Sequence, residues 1–330
     1  MPKGALLLSH TDLNLNPARY LQVCEGTRQD VTHVSLQMVP YPWWNPVQAP
    51  LHPNVTFPPV LRGVSTRRDS EGNAVLITRL LDANLRKGGG NRPVFLDMQA
   101  VDESEIGPGG SYRGYTLLPW GLVYRVLPGM DTAETEAWHD ESLGQLRRLQ
   151  GCMRPSPADI YPPGSWEFAA SSVFWDAHYQ MGLFLLSYAI QVWRPRELLS
   201  GQRGRVLPGL KAAASLLGET LEAVDAHGTL SSLKGDLVKN TALSYIRLQG
   251  ALELGLLEQR ALRAPTAAAE EAEHQRARTL EEEEEDNRLL TLHMLERFLR
   301  DNSGDRDESS FARIYARLRE VTSTSPAQGK

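Results

Sequence analysis

Between residues 10 and 16 the chain gathers His10, Thr11, Asp12, Asn14 and Asn16, the side chains best suited to polar chemistry. A second acidic group, Asp97 with Asp102 and Glu103 close behind, follows a later apolar run. Carboxylates, amides and an imidazole together offer the donors and acceptors that bind a polar or sugar-like ligand. In open α/β sheets such ligands sit beyond the carboxyl ends of the strands. If the runs before His10 and Asp97 are neighbouring strands, Asp12 and Asp97 face one crevice. A structural reading accounts for part of the same group: Asp12 and Asn16 are ordinary turn and helix-cap residues.

Several chemistries lack their motif. No G-x-G-x-x-G follows the first apolar run, and there is no P-loop lysine and no G-x-S-x-G elbow. Ser9-His10 is a neighbouring pair, not a triad. Neither a C-x-x-C pair nor a His/Cys metal spacing appears, so no catalytic residue, metal or cofactor is assigned. The stretch Tyr41-Pro42-Trp43-Trp44-Asn45-Pro46 offers aromatic faces for a sugar ring. Aromatics in a proline-rich loop more often plug a core edge, and that reading is preferred for Trp43 and Trp44. Asn54-Val55-Thr56 is a glycosylation sequon, meaningful if the chain reaches a secretory lumen.

The elements that would position these groups can be read from periodicity. Ala5 to Leu8 is a short buried strand. Asn16 is read as the cap of a helix with Pro17 in its first turn, Tyr20, Leu21 and Cys24 as its apolar stripe, and Gly26 as its stop. Cys24 is read as a buried small hydrophobe. Val31 to Val39 is a second strand, which makes a βαβ unit with parallel pairing. A helix over 74–87, a strand at 93–98 and extended runs at 115–118 and 122–127 continue the alternation. Residues 1–130 are therefore expected to form an α/β domain with a small, mainly parallel, Rossmann-like sheet.

Residues 131–164 read as a helix and a proline-rich linker. Ser165 then caps a helix with Trp166-Glu167 behind it. Further helices are expected over 210–226, 237–261, 267–300 and 310–321, giving an all-α domain over 165–321 of tetratricopeptide-like helix pairs. The acidic block Glu281 to Asp286 reads as a solvated helix face, and residues 322–330 as a disordered tail.

The whole chain has 330 residues and a net charge of −5, so no basic field for nucleic acid exists. The most apolar window, Met181 to Trp193, is too short for a membrane span. Taken as written, with no signal peptide or span, the chain would be cytoplasmic.

A family resemblance points elsewhere. It is carried by Asp12, Asn16, Arg19-Tyr20-Leu21, Cys24-Glu25-Gly26, Arg28, Asp30 and Val31. It continues in Tyr41 with Trp43, Pro53-Asn54-Val55, Phe57-Pro58, Tyr115-Thr116-Leu117, Pro119-Trp120-Gly121, Ser165-Trp166-Glu167 and Trp175. This pattern resembles the lumenal C-terminal region of the transmembrane protein 260 family, multi-spanning protein O-mannosyltransferases of the endoplasmic reticulum. In that family an acidic residue of the membrane half performs transfer from a dolichol-linked mannose. No position here matches it, so none is carried over. The resemblance implies a lumenal accessory module that recognises protein acceptors, with protein partners or the membrane half beside it and no catalysis of its own. The alternatives are a stand-alone α/β enzyme acting through His10, Asp12 and Asp97, and a helical interaction scaffold.

Overall fold

The computed structural model describes residues 1–58, 70–86, 92–129, 138, 141–145, 147, 148, 162, 164–195, 205–227, 234–261 and 267–324. They fall into two units, Met1–Pro155 and Ser156–Lys330. That division lies inside the segment read from sequence as a linker.

The first unit begins as the βαβ pattern requires: β1 (Leu6–Ser9), α1 (Asp12–Val23) and β2 (Thr32–Ser35). Then come a short helix α2 (Trp44–Gln48), helix α3 (Ser70–Leu81) and β3 (Val94–Asp97). Three further strands, β4 (Ser111–Tyr112), β5 (Tyr115–Trp120) and β6 (Val123–Pro128), complete the sheet. Its order is β2-β1-β3-β6-β5-β4. β1 pairs in parallel with β2 and β3, in register Leu6 to Thr32 and Leu6 to Val94. All four residues of β1 are buried, as a central strand covered on both faces demands.

The sheet is mixed, which corrects the expectation of mainly parallel pairing. β3–β6, β6–β5 and β5–β4 are all antiparallel. Connection length decides the β4–β5 and β5–β6 pairs, since a parallel pair needs a crossover of a dozen or more residues. Only Gly121 and Leu122 separate β5 from β6, with Gly121 at φ 64°. Arg113 and Gly114 join β4 to β5 with φ 46° and 85°, the two positive values of a type I′ hairpin.

Helix α1 corrects a second expectation. It starts at Asp12 with Thr11 as N-cap, so Asn16 is not the cap and Pro17 lies inside the helix. Pro17 has no N–H for the Leu13 carbonyl, yet the helix runs on because its start is held from outside, as shown below. Of its twelve residues only Leu15 is buried. The predicted apolar stripe faces solvent: Tyr20 and Leu21 are exposed, and so is Cys24. Gly26 stops the helix at φ +65°, where the Thr27 N–H donates to the Leu21 carbonyl at 2.9 Å.

An arginine gathers the opposite, amino-terminal end of the parallel strands. Arg92 donates to the carbonyls of Gly4 (2.8 Å), Asn54 (3.0 Å) and Ala5 (3.4 Å) and to the Thr32 hydroxyl. Arg28 clamps the chain start similarly, donating to the Met1 and Pro2 carbonyls and pairing with Asp30 at 2.8 Å.

The described elements of the second unit are helices: α4 (Trp166–Tyr188), α5 (Val206–His227), α6 (Lys234–Ala261), α7 (Ala267–Asp301) and α8 (Glu308–Thr324). The Ser165 hydroxyl caps α4 by accepting from the Phe168 N–H at 3.1 Å. Each helix packs on its chain neighbour, and lengths run from 17 to 35 residues. α8 continues to Thr324, so residues 322–324 are helical and not tail; 325–330 lie outside the described residues. The acidic block is only partly a solvated face. Glu283 pairs with Lys211 of α5 at 2.7 Å, and Glu284 sits beside Arg288 at 3.6 Å with 13% of its side chain exposed. No helix among the described residues is long and apolar enough to cross a membrane.

Candidate functional site

The carboxyl ends of β1, β2 and β3 carry most of the polar residues singled out above. The strand order reverses here: from β1 the chain passes to β2 on one side, then to β3 on the other. Such a switch point is where open α/β sheets place ligands. Ser9 pairs with Ser35, and carrying the Leu8–Leu96 register one step further sets Asp97 opposite Ser9. Ser35, Ser9 and Asp97 thus form a polar row on one face, and His33 shares that face two residues before Ser35.

Asp97 is 1% exposed and faces the start of α1. One oxygen accepts from the backbone N–H groups of His10 (3.1 Å) and Thr11 (3.4 Å). The other accepts from the Asn14 side-chain amide (3.0 Å) and the Gln99 N–H (3.1 Å). An ionised carboxylate offers about four acceptor directions, and four donors meet them. The protein's own carboxylate therefore occupies the place where an anion would sit at a helix N-terminus. This external brace explains why α1 starts at Asp12 although the Thr11 side chain makes no capping bond.

Of the predicted ligand residues, the structure joins His10, Asn14 and Asp97 in one hydrogen-bonded cluster. Asp12 and Asn16 lie exposed along α1.

Sequence reasoning missed a second feature. The Ser9 hydroxyl lies 2.6 Å from Nε2 of His33, both buried. Burial lowers the His33 pKa to about 4; the Arg19 cation pushes the same way and Asp97 opposes them. The ring is thus neutral at pH 7. Its Nδ1, the Ser35 hydroxyl and the Thr11 hydroxyl are buried without a partner among the described residues. A hydrolytic triad needs a carboxylate on that second nitrogen, and Asp97 is bonded elsewhere. Nothing local in the sequence links Ser9 to His33. Only the parallel register brings them together.

The two tryptophans separate into two roles. Trp44 is 2% exposed and meets Phe57 edge-on at 5.3 Å, which makes it a packing residue. Trp43 is 53% exposed, its ring near-parallel to Tyr41 with centroids 6.1 Å apart. Val47 and Leu51, close by in the chain, are exposed as well. Asn54, three residues after Leu51, is exposed. Among the described residues no group of three or more His, Cys, Asp or Glu is arranged to hold a metal ion.

Comparison with known proteins decides the relationship. Over 204 residues the chain is 28% identical to protein O-mannosyl-transferase TMEM260 of Mus musculus, covering 60% of this chain. The chain resembles part of TMEM260. A second relative, protein O-mannosyl-transferase tmem260 of Dictyostelium discoideum, is 25% identical over 174 residues, 51% of this chain. The match spans 26% of the mouse TMEM260 and 19% of the Dictyostelium protein, so the chain corresponds to a minor part of either. No family model matches the chain, and no solved structure matches it.

Proposed function

We propose that this chain is a lumenal accessory module of a TMEM260-like protein O-mannosyltransferase, one that recognises protein acceptors and performs no transfer itself. The observation that carries the reading is the 204-residue match to a protein O-mannosyl-transferase. Two features of the first unit support it. The switch-point end of the sheet is filled by Asp97 with all its acceptor directions engaged, a poor general base. The exposed residues Trp43, Val47 and Leu51 are apolar and aromatic, the composition found at the centres of protein interfaces.

By the family resemblance, the acceptors are folded immunoglobulin-like domains of receptors, and the module lies in the endoplasmic reticulum lumen. The test is direct binding of the chain to an unmodified immunoglobulin-like domain by biolayer interferometry. Saturable binding, weakened at least fivefold in Trp43→Ala/Val47→Ser, supports the reading. Absence of binding to any acceptor domain of the enzyme overturns it.

The stand-alone enzyme remains the second reading because Ser9 and His33 lie 2.6 Å apart at the switch point. It is the weaker one: both residues are buried, at 1% and 5% exposure, out of reach of a substrate.

A further inference from the structure

We propose that Asn54 is an N-glycosylation site, a modification that rests on the lumenal placement put forward above. In the whole sequence Asn54 is the single asparagine followed by any residue but proline and then Ser or Thr. The structure adds what the triplet alone lacks. Asn54 and Thr56 are exposed, while Val55 between them is 7% exposed and anchors the segment in the core.

The backbone of this segment is held independently of the Asn54 side chain. The Asn54 carbonyl accepts from Arg92 at 3.0 Å, and the Val55 N–H donates to the His52 carbonyl at 2.9 Å. Asn84 brackets Thr56, accepting from its N–H at 2.9 Å and donating to its carbonyl at 3.0 Å. A glycan at Asn54 would therefore leave no hydrogen bond broken and no core atom displaced. Arg92 ties Asn54 to the start of β1, at the end of the sheet opposite Asp97, so the glycan stands clear of the switch point.

The chemistry balances without help from this chain. Nδ2 of Asn54 forms a bond to C1 of the first sugar of a lipid diphosphate-linked oligosaccharide. The bond from C1 to the phosphate oxygen breaks, one Nδ2 proton is released, and the lipid diphosphate leaves. The cell's oligosaccharyltransferase supplies the catalyst, and the Thr56 hydroxyl is the group it reads at the second position.

The test uses two forms in a glycosylating cell line: the full natural gene product, and the 330-residue chain behind a cleavable signal sequence. Each is probed by peptide N-glycosidase digestion and by mass spectrometry of the tryptic peptide. Both forms are expected to lose one core oligosaccharide on digestion, with Asn54 converted to Asp. Asn54→Gln and Thr56→Ala abolish the shift, and Thr56→Ser retains it. If the signal-bearing chain is secreted folded and unmodified, the site is not competent and the proposal fails, wherever the natural protein resides. If that chain is modified while the natural product is not, the site is competent and the lumenal placement is overturned.

Discussion

The Asp97 carboxylate at the end of β3 accepts a 3.0 Å hydrogen bond from the Asn14 side chain in the first turn of α1. With the His10 and Thr11 N–H groups on its other oxygen, it braces the entry of a helix from 83 to 87 residues away in sequence. Asp97→Ala leaves buried donors unanswered and should cost roughly 2–4 kcal/mol of unfolding free energy. Asp97→Asn should cost nearly as much, because its amide sets a donor against donors. Asp12→Asn, at an exposed position, should stay within about 0.5 kcal/mol. Urea denaturation of the three variants checks this ordering, and an Asp12 variant as damaging as Asp97→Ala would contradict it.

Stability should fall as the solution is acidified through the range set by His33. Its folded pKa is lowered to about 4 from the ordinary 6.5 by burial and by Arg19. Between those values the unfolded chain binds a proton that the folded chain refuses. The His33 contribution is therefore complete above pH 6.5, is lost as the pH drops toward 4, and changes no further below it. The loss is on the order of 3 kcal/mol. Denaturation midpoints of the wild type and His33→Gln across this range test it, since the variant should lack that part of the slope.

Arg92→Ala should destabilise the first unit by roughly 2–3 kcal/mol, through the bonds it removes from the Gly4, Asn54 and Ala5 carbonyls and the Thr32 hydroxyl, the Ala5 carbonyl keeping the Thr32 N–H. Arg92→Lys should recover little. A single ammonium cannot span acceptors that the flat guanidinium reaches together. Guanidinium titrations followed by tryptophan fluorescence give both numbers.

Adjacent tryptophans should behave oppositely. Trp44→Ala empties a buried site against Phe57 and should cost about 3–5 kcal/mol. Trp43→Ala should change stability by no more than about 0.5 kcal/mol while weakening acceptor binding. Thermal melts paired with binding measurements separate the two.

The contrast between these neighbours shows where the sequence was readable. Local signals held: Ser165 caps its helix, and the strand–helix–strand order at the start is real, with β1 beside β2. Signals that depend on partners elsewhere in the chain did not hold. Pro17 suggests a helix start at Asn16, whereas the helix starts at Asp12 behind Thr11, with Asp97 from far along the chain bonded to the turn before it. The spacing of Tyr20, Leu21 and Cys24 promised a buried stripe, yet that face of α1 is exposed. Asp97 was picked out as a candidate ligand, and its partners His10 and Asn14 with it. That its acceptor capacity is already taken up needed coordinates. Ser9 with His33 had no sequence signal at all, since parallel register alone joins them.

Three calorimetric titrations together test the central claim most directly: the 330-residue chain against a folded immunoglobulin-like acceptor domain, against mannosyl phosphate and against GDP-mannose. The account predicts saturable heat with the protein domain and none with either sugar compound. Saturable binding of a sugar compound, abolished by Asp12→Asn, with none to the protein domain, would contradict it.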